Sequence, residues 1–307
     1  MPNLQFRLPW QIPGYALTCT HAVFSHSTNC SSFDNQKDNS LAILQKWRPI
    51  LEGKGVTVII GGHTEQKPKG VGFAKNSAVR QSHGRYLCFL DADDVMNPGR
   101  VESQLNAAKD NPDAIYTSHG PTVAMPTWFC ARTVFDKVGG FDESGKGTPE
   151  DLIFFLKHLS SEGKVHRVDE HLMMYRYHPQ ATTHSIHRDT IWSIRLEALE
   201  DNVISNWSQF TIWSAGKQGK RFYRSLRDEN KEKVIAFCEV DKKKIEKGVY
   251  IYEESKVLPK PRIPILHFTD AKPPLIICVK LDLTGGGLEK NLTFLNLQEG
   301  KDYYHFS

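Results

Sequence analysis

A nearly continuous apolar run, Arg85-Tyr86-Leu87-Cys88-Phe89-Leu90, ends in Asp91-Ala92-Asp93-Asp94, three acids in four positions. A strand without polar alternation is buried on both faces, which predicts a parallel sheet covered by helices. Upstream, Val56-Thr57-Val58-Ile59-Ile60 reads as a second such strand ending at Gly61-Gly62, and Gly70 to Ser82 between them reads as a helix with an Ala/Val face. Strand, helix and strand at this spacing predict a βαβ unit and an α/β fold. Carboxylates at the end of such a strand stand outside the carboxyl edge of the sheet, where open α/β folds bind ligands.

The remainder of the chain divides around this unit. The first 40 residues show no sustained period, and Ser25 to Ser40 is rich in Ser and Asn, which reads as loop or tail. Leu41, Leu44, Trp47 and Leu51 recur at helical spacing. After Asp94, Asn97 is a cap candidate and Pro98 suits a first helical position, with Val101, Leu105 and Ala108 as one face before Asn111-Pro112. A later helix starts at Thr148-Pro149-Glu150-Asp151, with Leu152, Phe155, Leu156 and Leu159 as its face and Gly163 as its stop. Residues 165–177 read as strand-rich and Ile191 to Ile204 as a bridging helix.

A second α/β unit follows. Phe210 to Trp213 reads as a strand, a glycine turn and a basic helix run to Leu226, and Val234 to Val240 is the next strand. Pro259 to Pro264 reads as a stiff extended loop and Leu275 to Leu281 as a further strand. The domains expected are an unmatched segment 1–32, a catalytic domain 33–190, a bridging helix 191–208 and a Rossmann-like domain 209–307.

Composition narrows the function classes. The 307 residues are 39% hydrophobic with a formal net charge of +4, which excludes a disordered or coiled-coil chain and is too mild for a nucleic-acid partner. The six cysteines have no CxxC spacing, so reduced thiols that bind no metal are expected. No run reaches the roughly 18 apolar residues of a membrane span, and the early prolines break any signal peptide. A cytoplasmic location is therefore the expectation.

Carboxylates at i and i+2, Asp91 and Asp93, can converge on one hard cation that also holds a nucleotide diphosphate. Two other readings apply to the same residues. An EF-hand loop fails at Val95 and at Met96, where glycine is required, whereas acids placed only to complement the next helix stay open. Gly145-Lys146-Gly147-Thr148-Pro149-Glu150-Asp151 reads equally as a capping box and as a carboxylate pair able to deprotonate an acceptor hydroxyl. Gly70-Val71-Gly72-Phe73-Ala74-Lys75-Asn76 offers close backbone approach, a cation and donors for phosphate or sugar.

In order along the chain, Ala74-Lys75-Asn76, Phe89 to Asp94, Gly140-Phe141-Asp142-Glu143 with Glu150-Asp151, and Tyr175-Arg176-Tyr177-His178 resemble the motifs of family-2 glycosyltransferases. The resemblance implies a nucleotide-diphospho-sugar transferase (GT-A, Rossmann-like) domain followed by a smaller Rossmann-like α/β domain. It further implies inverting, metal-dependent transfer of a sugar, with N-acetylglucosamine a candidate, from a UDP-sugar to an acceptor hydroxyl. Asp151 would be the general base and Glu150 its support or alternative; Asp91, Lys75, Asn76 and Asp34 would bind the donor; Asp93, Asp91 and His178 would hold Mn²⁺ or Mg²⁺. The expected partners are the nucleotide-sugar donor and an unidentified acceptor, with no nucleic acid and no membrane span.

Two departures from the family pattern stand out. Nothing before residue 30 matches the family's first hydrophobic strand, and only Phe33 to Asp38 resembles its acidic nucleotide-binding turn. Residues 115–121 join directly two regions that the family separates by a longer segment. A truncated, non-catalytic binding protein is the alternative they favour. A third reading rests on Ser214-x-Gly216-x-x-Gly219 with Glu239 and Asp241 roughly 20 residues on, the spacing of a dinucleotide fold with an acid near the ribose.

Overall fold

The computed structural model describes residues 20–24, 28–33, 39–53, 55–62, 67–91, 93–118, 123–177, 179, 182–280 and 284–306. Asp34 and His178 lie outside the described residues. The chain forms two compact units, 1–190 and 191–307.

In the first unit the elements are β1 (Thr20–Phe24), β2 (Thr28–Phe33), α1 (Ser40–Glu52), β3 (Thr57–Gly62), α2 (Val71–Gln81), β4 (Tyr86–Leu90), β5 (Val95–Met96) and α3 (Arg100–Ala108). They continue as β6 (Ala114–Ser118), β7 (Phe129–Ala131), α4 (Arg132–Val138), α5 (Glu150–Ser160), β8 (Lys164–Val168) and β9 (Met173–Met174). The main sheet runs β3-β2-β1-β4-β7-β6-β8 among the described residues.

That sheet is mixed, not the purely parallel one expected. β2 pairs parallel with β3 and β6 with β8, whereas β1 is antiparallel to both β2 and β4, and β7 to both β4 and β6. The strands of the βαβ unit, β3 and β4, do run the same way, but β2 and β1 lie between them. The segment 20–33, read as loop, thus supplies two central strands. Its Ser/Asn content hides any period, while the facing edges of β3 and β4 offer unpaired backbone groups that such a segment satisfies.

Aromatic packing ties together the elements that carry the candidate site. Phe89 on β4 meets the ring of Phe141 edge-on at 5.5 Å, and Phe141 lies 4.7 Å from Phe154 of α5, which in turn packs on Trp128 at 5.8 Å. These four side chains are almost wholly buried in one cluster. Arg100 reinforces the same junction: fully buried, it donates to the carbonyls of Phe89 and Trp128 and to Gln104 Oε1.

Several helix expectations need correction. α5 buries Phe154 and His158, not the face through Leu152, Phe155, Leu156 and Leu159; the first three are half-buried and Leu159 is exposed. The apolar run 152–156 covers every direction of the helix, so the partners Phe141 and Trp128, not the period, choose the face. Its N-cap is Pro149 without a side-chain bond, so Thr148 and Asp151 form no capping box. Of the α1 face only Leu51 is buried, and Leu41 is exposed. Asn97 accepts from the Gly99 N–H in a turn before α3, whose N-cap is Gly99.

The second unit comprises α6 (Arg188–Asn202), β10 (Phe210–Trp213), α7 (Lys217–Ser225), α8 (Asp228–Lys231), β11 (Val234–Glu239), α9 (Lys242–Glu246), β12 (Val249–Ile251), β13 (Arg262–His267), β14 (Leu275–Ile277), α10 (Gly287–Phe294) and β15 (Tyr303–His305). Its sheet runs β12-β13-β11-β10-β14-β15, parallel except for the edge strand β12. Much of the segment read as a proline loop is β13. Ile263 and Ile265 alternate inward while Arg262 and Pro264 face out, and the proline is tolerated next to the short edge strand. Within this unit α6 packs Leu196 into the core and buries Glu200, which accepts from the Arg227 N–H and Asn230 Nδ2.

Cys88, Cys130, Cys238 and Cys278 are buried free thiols, and burial pushes Cys130 up to about 12. Among the described residues no helix is long and apolar enough to cross a membrane.

Candidate active site

The acidic segment begins where β4 ends. Asp94 N–H closes a turn onto the Asp91 carbonyl at 3.1 Å, so the apolar strand hands over directly to a loop of carboxylates. Asp91 and Asp93 are both partly buried on that loop. Desolvation by burial pushes Asp91 up to about 6, against the pull of Lys75 and with the help of the neighbouring charges of Asp93, Glu150 and Asp151. Asp91, Asp93, Glu150 and Asp151 therefore share one electrostatic neighbourhood with the buried Lys75, while the buried Arg100 acts on the adjoining Asp94.

Lys75 comes from α2 and is 2% exposed; its Nζ donates to Glu150 Oε1 at 2.7 Å and stands 5.1 Å from the centre of the Phe141 ring. A buried ammonium requires such partners because desolvation of an unpaired charge is costly. Burial likewise raises Asp151, with Lys75 opposing, while Asp151 Oδ1 accepts the Leu152 N–H at 2.7 Å at the start of α5. The two acids of α5 are thus distinguished by their partners: Glu150 is ion-paired with Lys75, whereas the hydrogen bond to Asp151 among the described residues comes from the Leu152 N–H.

Asn76 is placed differently. Its Nδ2 donates to the Phe141 carbonyl and to Glu143 Oε1, and its Oδ1 accepts the Phe141 N–H at 2.9 Å. The glycines ahead of it serve the same contact. A Cβ on Gly72 would stand 1.9 Å from the Asp142 carbonyl oxygen, and one on Gly70, whose φ is +95°, 2.8 Å from Gly145 Cα. The close approach expected of this Gly-x-Gly is made to the 140–147 loop, which leads into α5 and so sets the position of Glu150 and Asp151.

A residue of the motif to which the sequence reading gave no role has a clear one. Asp94 is fully buried; its Oδ1 accepts the Arg176 N–H at 2.8 Å, and its Oδ2 has no hydrogen-bond partner among the described residues. Burial pushes it up to about 7. With the β5–β9 pairing of Val95 to Met174 and Met96 to Met173, this bond fastens the 173–177 segment to the carboxylate loop. The sequence signal was the third acid of the segment, which metal binding by i and i+2 leaves over.

The donor set fits a divalent cation shared with a phosphate ligand. The carboxylates Asp91, Asp93, Glu150 and Asp151 outnumber the cation Lys75 beside them, and Mg²⁺ or Mn²⁺ is commonly held by one or two carboxylates plus substrate oxygens. No group of three His, Cys, Asp or Glu able to hold a metal by itself occurs among the described residues. Asp91 and Asp93 are the pair at the strand end; Asp34 and His178 fall outside the described residues.

Residues 30–179 match the family described as Glycosyl transferase family 2. Among solved structures, the chain is similar to TarS 1–349 of S. aureus in complex with UDP-GlcNAc, at 16% identity and a TM-score of 0.46, covering 57% of this chain and 56% of that one. It is also similar to S. aureus TarS at 13% identity and a TM-score of 0.43, covering 66% of this chain and 44% of that one. A third similarity is to the mannosyltransferase PcManGT from Pyrobaculum calidifontis in complex with GDP-Man and Mn²⁺, at 11% identity and a TM-score of 0.42, covering 57% and 52%. The chain spans about half the length of these relatives.

Proposed function

We propose that this chain, whose residues 30–179 match glycosyl transferase family 2, is a glycosyltransferase that moves a sugar from a UDP-sugar to an acceptor hydroxyl, with inversion and with a divalent metal ion. The observation that carries the reading is the carboxylate group at the end of β4 and the start of α5, built around the buried Lys75. UDP-N-acetylglucosamine is the first donor to test.

Asp91 and Asp93 are the proposed holders of Mn²⁺ or Mg²⁺ together with the donor diphosphate. A divalent ion bound there supplies Lewis-acid stabilisation of the charge on the departing diphosphate. Asp91 also faces the nucleotide, and by the family resemblance Asp34 and His178 join the donor and metal contacts. Asp151 takes the proton from the acceptor hydroxyl as the acceptor oxygen bonds to the anomeric carbon and the bond to the diphosphate oxygen breaks. Burial raises its proton affinity above that of an ordinary aspartate, which makes it the stronger base. Glu150, paired with Lys75, supports Asp151 by fixing the first turn of α5, and Asn76 supports both by holding the 141–143 turn.

The test is UDP release from a panel of UDP-sugars by the full chain, with Mn²⁺ and with chelator. Asp93→Asn and Asp151→Asn should each abolish transfer in a folded protein, and near-normal turnover in both would overturn the assignment. Metal-dependent donor binding without turnover for any sugar would leave a binding protein.

A further inference from the structure

We propose that the second unit carries its own binding site for the phosphate group of a small phosphorylated ligand, formed by the turn Ser214 to Gly219 with Lys220, Arg224, Lys244 and Lys247. The turn leaves β10 at the point where the sheet order reverses, since β11 and β14 flank β10 on opposite sides. Ligands of open α/β sheets bind at such switch points.

The turn is wound too tightly for side chains. Ser214 has a φ of +99°, and a Cβ on Gly219 would stand 1.8 Å from the Ser214 carbonyl oxygen. Lys244 Nζ lies over the glycine side of the turn, 3.6 Å from where a Cβ on Gly216 would be.

The acids that a dinucleotide would need are committed elsewhere. Glu239 is buried, and its Oε1 accepts the Ala215 N–H at 2.8 Å and Lys244 Nζ at 2.7 Å. Asp241 caps α9 through the Lys243 N–H. Neither is presented to a ribose, which removes the basis for a dinucleotide site. The cations, in contrast, outnumber the two acids beside them, Glu239 and Asp241, the second 4.0 Å from Lys244 Nζ. Lys220 stands 5.3 Å from the Tyr250 ring, and Arg224 Nη1 reaches the Tyr250 hydroxyl at 3.5 Å, one helical turn further along α7. Burial, then Lys247, Lys244 and Arg224, hold the Lys220 ammonium below its ordinary value, with Glu239 opposing. Positive charge kept together at some electrostatic cost beside a glycine turn is the charge complement of a phosphate.

The probe is inorganic pyrophosphate, titrated calorimetrically into the full-length chain carrying Asp93→Asn in chelator, so that the metal-dependent donor site is silent. Saturable binding is expected, with Lys220→Ala and Lys244→Ala each weakening it at least about tenfold, the worth of one charge-assisted hydrogen bond. Lys220→Arg should retain it, and Lys247→Ala, at an exposed position, should weaken it without altering thermal unfolding. Parallel titrations with inorganic phosphate and with AMP tell whether a diphosphate or a nucleoside adds affinity. Absence of saturable binding at millimolar pyrophosphate, or binding indifferent to all three alanine variants, would overturn the proposal. Failure of transfer by the first unit leaves it untouched.

Discussion

Lys75→Met is the perturbation that most directly probes the buried charge group. The methionine keeps an unbranched stem and removes the ammonium that lies 2.7 Å from Glu150 Oε1. Glu150, whose side chain is 13% exposed, is then left beside Asp91 and Asp151 without its ion-pair partner. Removing one partner of a buried pair costs ~3–5 kcal/mol. At roughly 2–4 °C per kcal/mol for a unit of this size, the transition of the first unit should fall by roughly 6–20 °C. Glu150→Gln in the same chain should restore much of the loss, because the carboxylate left uncompensated is gone. The coupling between the two substitutions should reach ~1.5–3 kcal/mol. Thermal and urea unfolding of the four proteins, followed by circular dichroism in chelator, measures the cycle. A Lys75→Met protein within about 1 kcal/mol of the native chain, or a double variant no more stable than Lys75→Met, would refute the account.

Three further outcomes are expected. Phe154→Ala should cost ~3–5 kcal/mol in chemical unfolding, because it opens a cavity between Phe141 and Trp128 under the site. Gly72→Ala should fail to give a native first unit, since its Cβ would lie 1.9 Å from a backbone oxygen; native near-ultraviolet dichroism in that variant would contradict the close contact. In chelator, Asp91 binds its proton more tightly in the fold, at about 6, than at its ordinary 3.8. Its ionisation therefore weakens the fold as pH rises through that window, and the advantage of Asp91→Asn over the native chain in urea should be small near pH 4 and largest above about 6. An advantage that shrinks with rising pH has the wrong sign.

The parts of the fold visible in the sequence are those where composition has only one structural outcome. The run from Tyr86 to Leu90 is a strand in the middle of a sheet, and its abrupt end in acids does mark the candidate site. The hairpin strands 20–33 were not visible because what orders them is the pair of open edges on β3 and β4, a tertiary fact that leaves no local period. The buried face of α5 was illegible for the opposite reason: too many apolar residues, Leu152 to Leu156, fit every face. Pro264 misled in a third way, since a proline reads as a breaker, and nothing local shows that at this position its strand pairs only with the short β12 while pairing to β11 begins at Ile265. At the site, Lys75 and Glu150 were both recognisable as candidates, but their pairing across 75 residues was not. Nor was it visible that Asn76 spends its amide on Phe141 and Glu143, which only the approach of the 140–147 loop decides.

The bond from the Arg176 N–H to Asp94 has a consequence for how occupancy of the site can be read. The 173–177 arm is attached to the carboxylate loop by that bond, by the two-residue β5–β9 pairing and by the bond from the Asn97 N–H to the Leu172 carbonyl. Its tip is open to attack, with Tyr177 74% exposed. Whatever stiffens the loop at Asp91 and Asp93 slows the unfastening of the arm, so the rate of protease cleavage near Tyr177 is a ligand meter. Donor bound at the acids, as proposed, should therefore slow cleavage next to Tyr177.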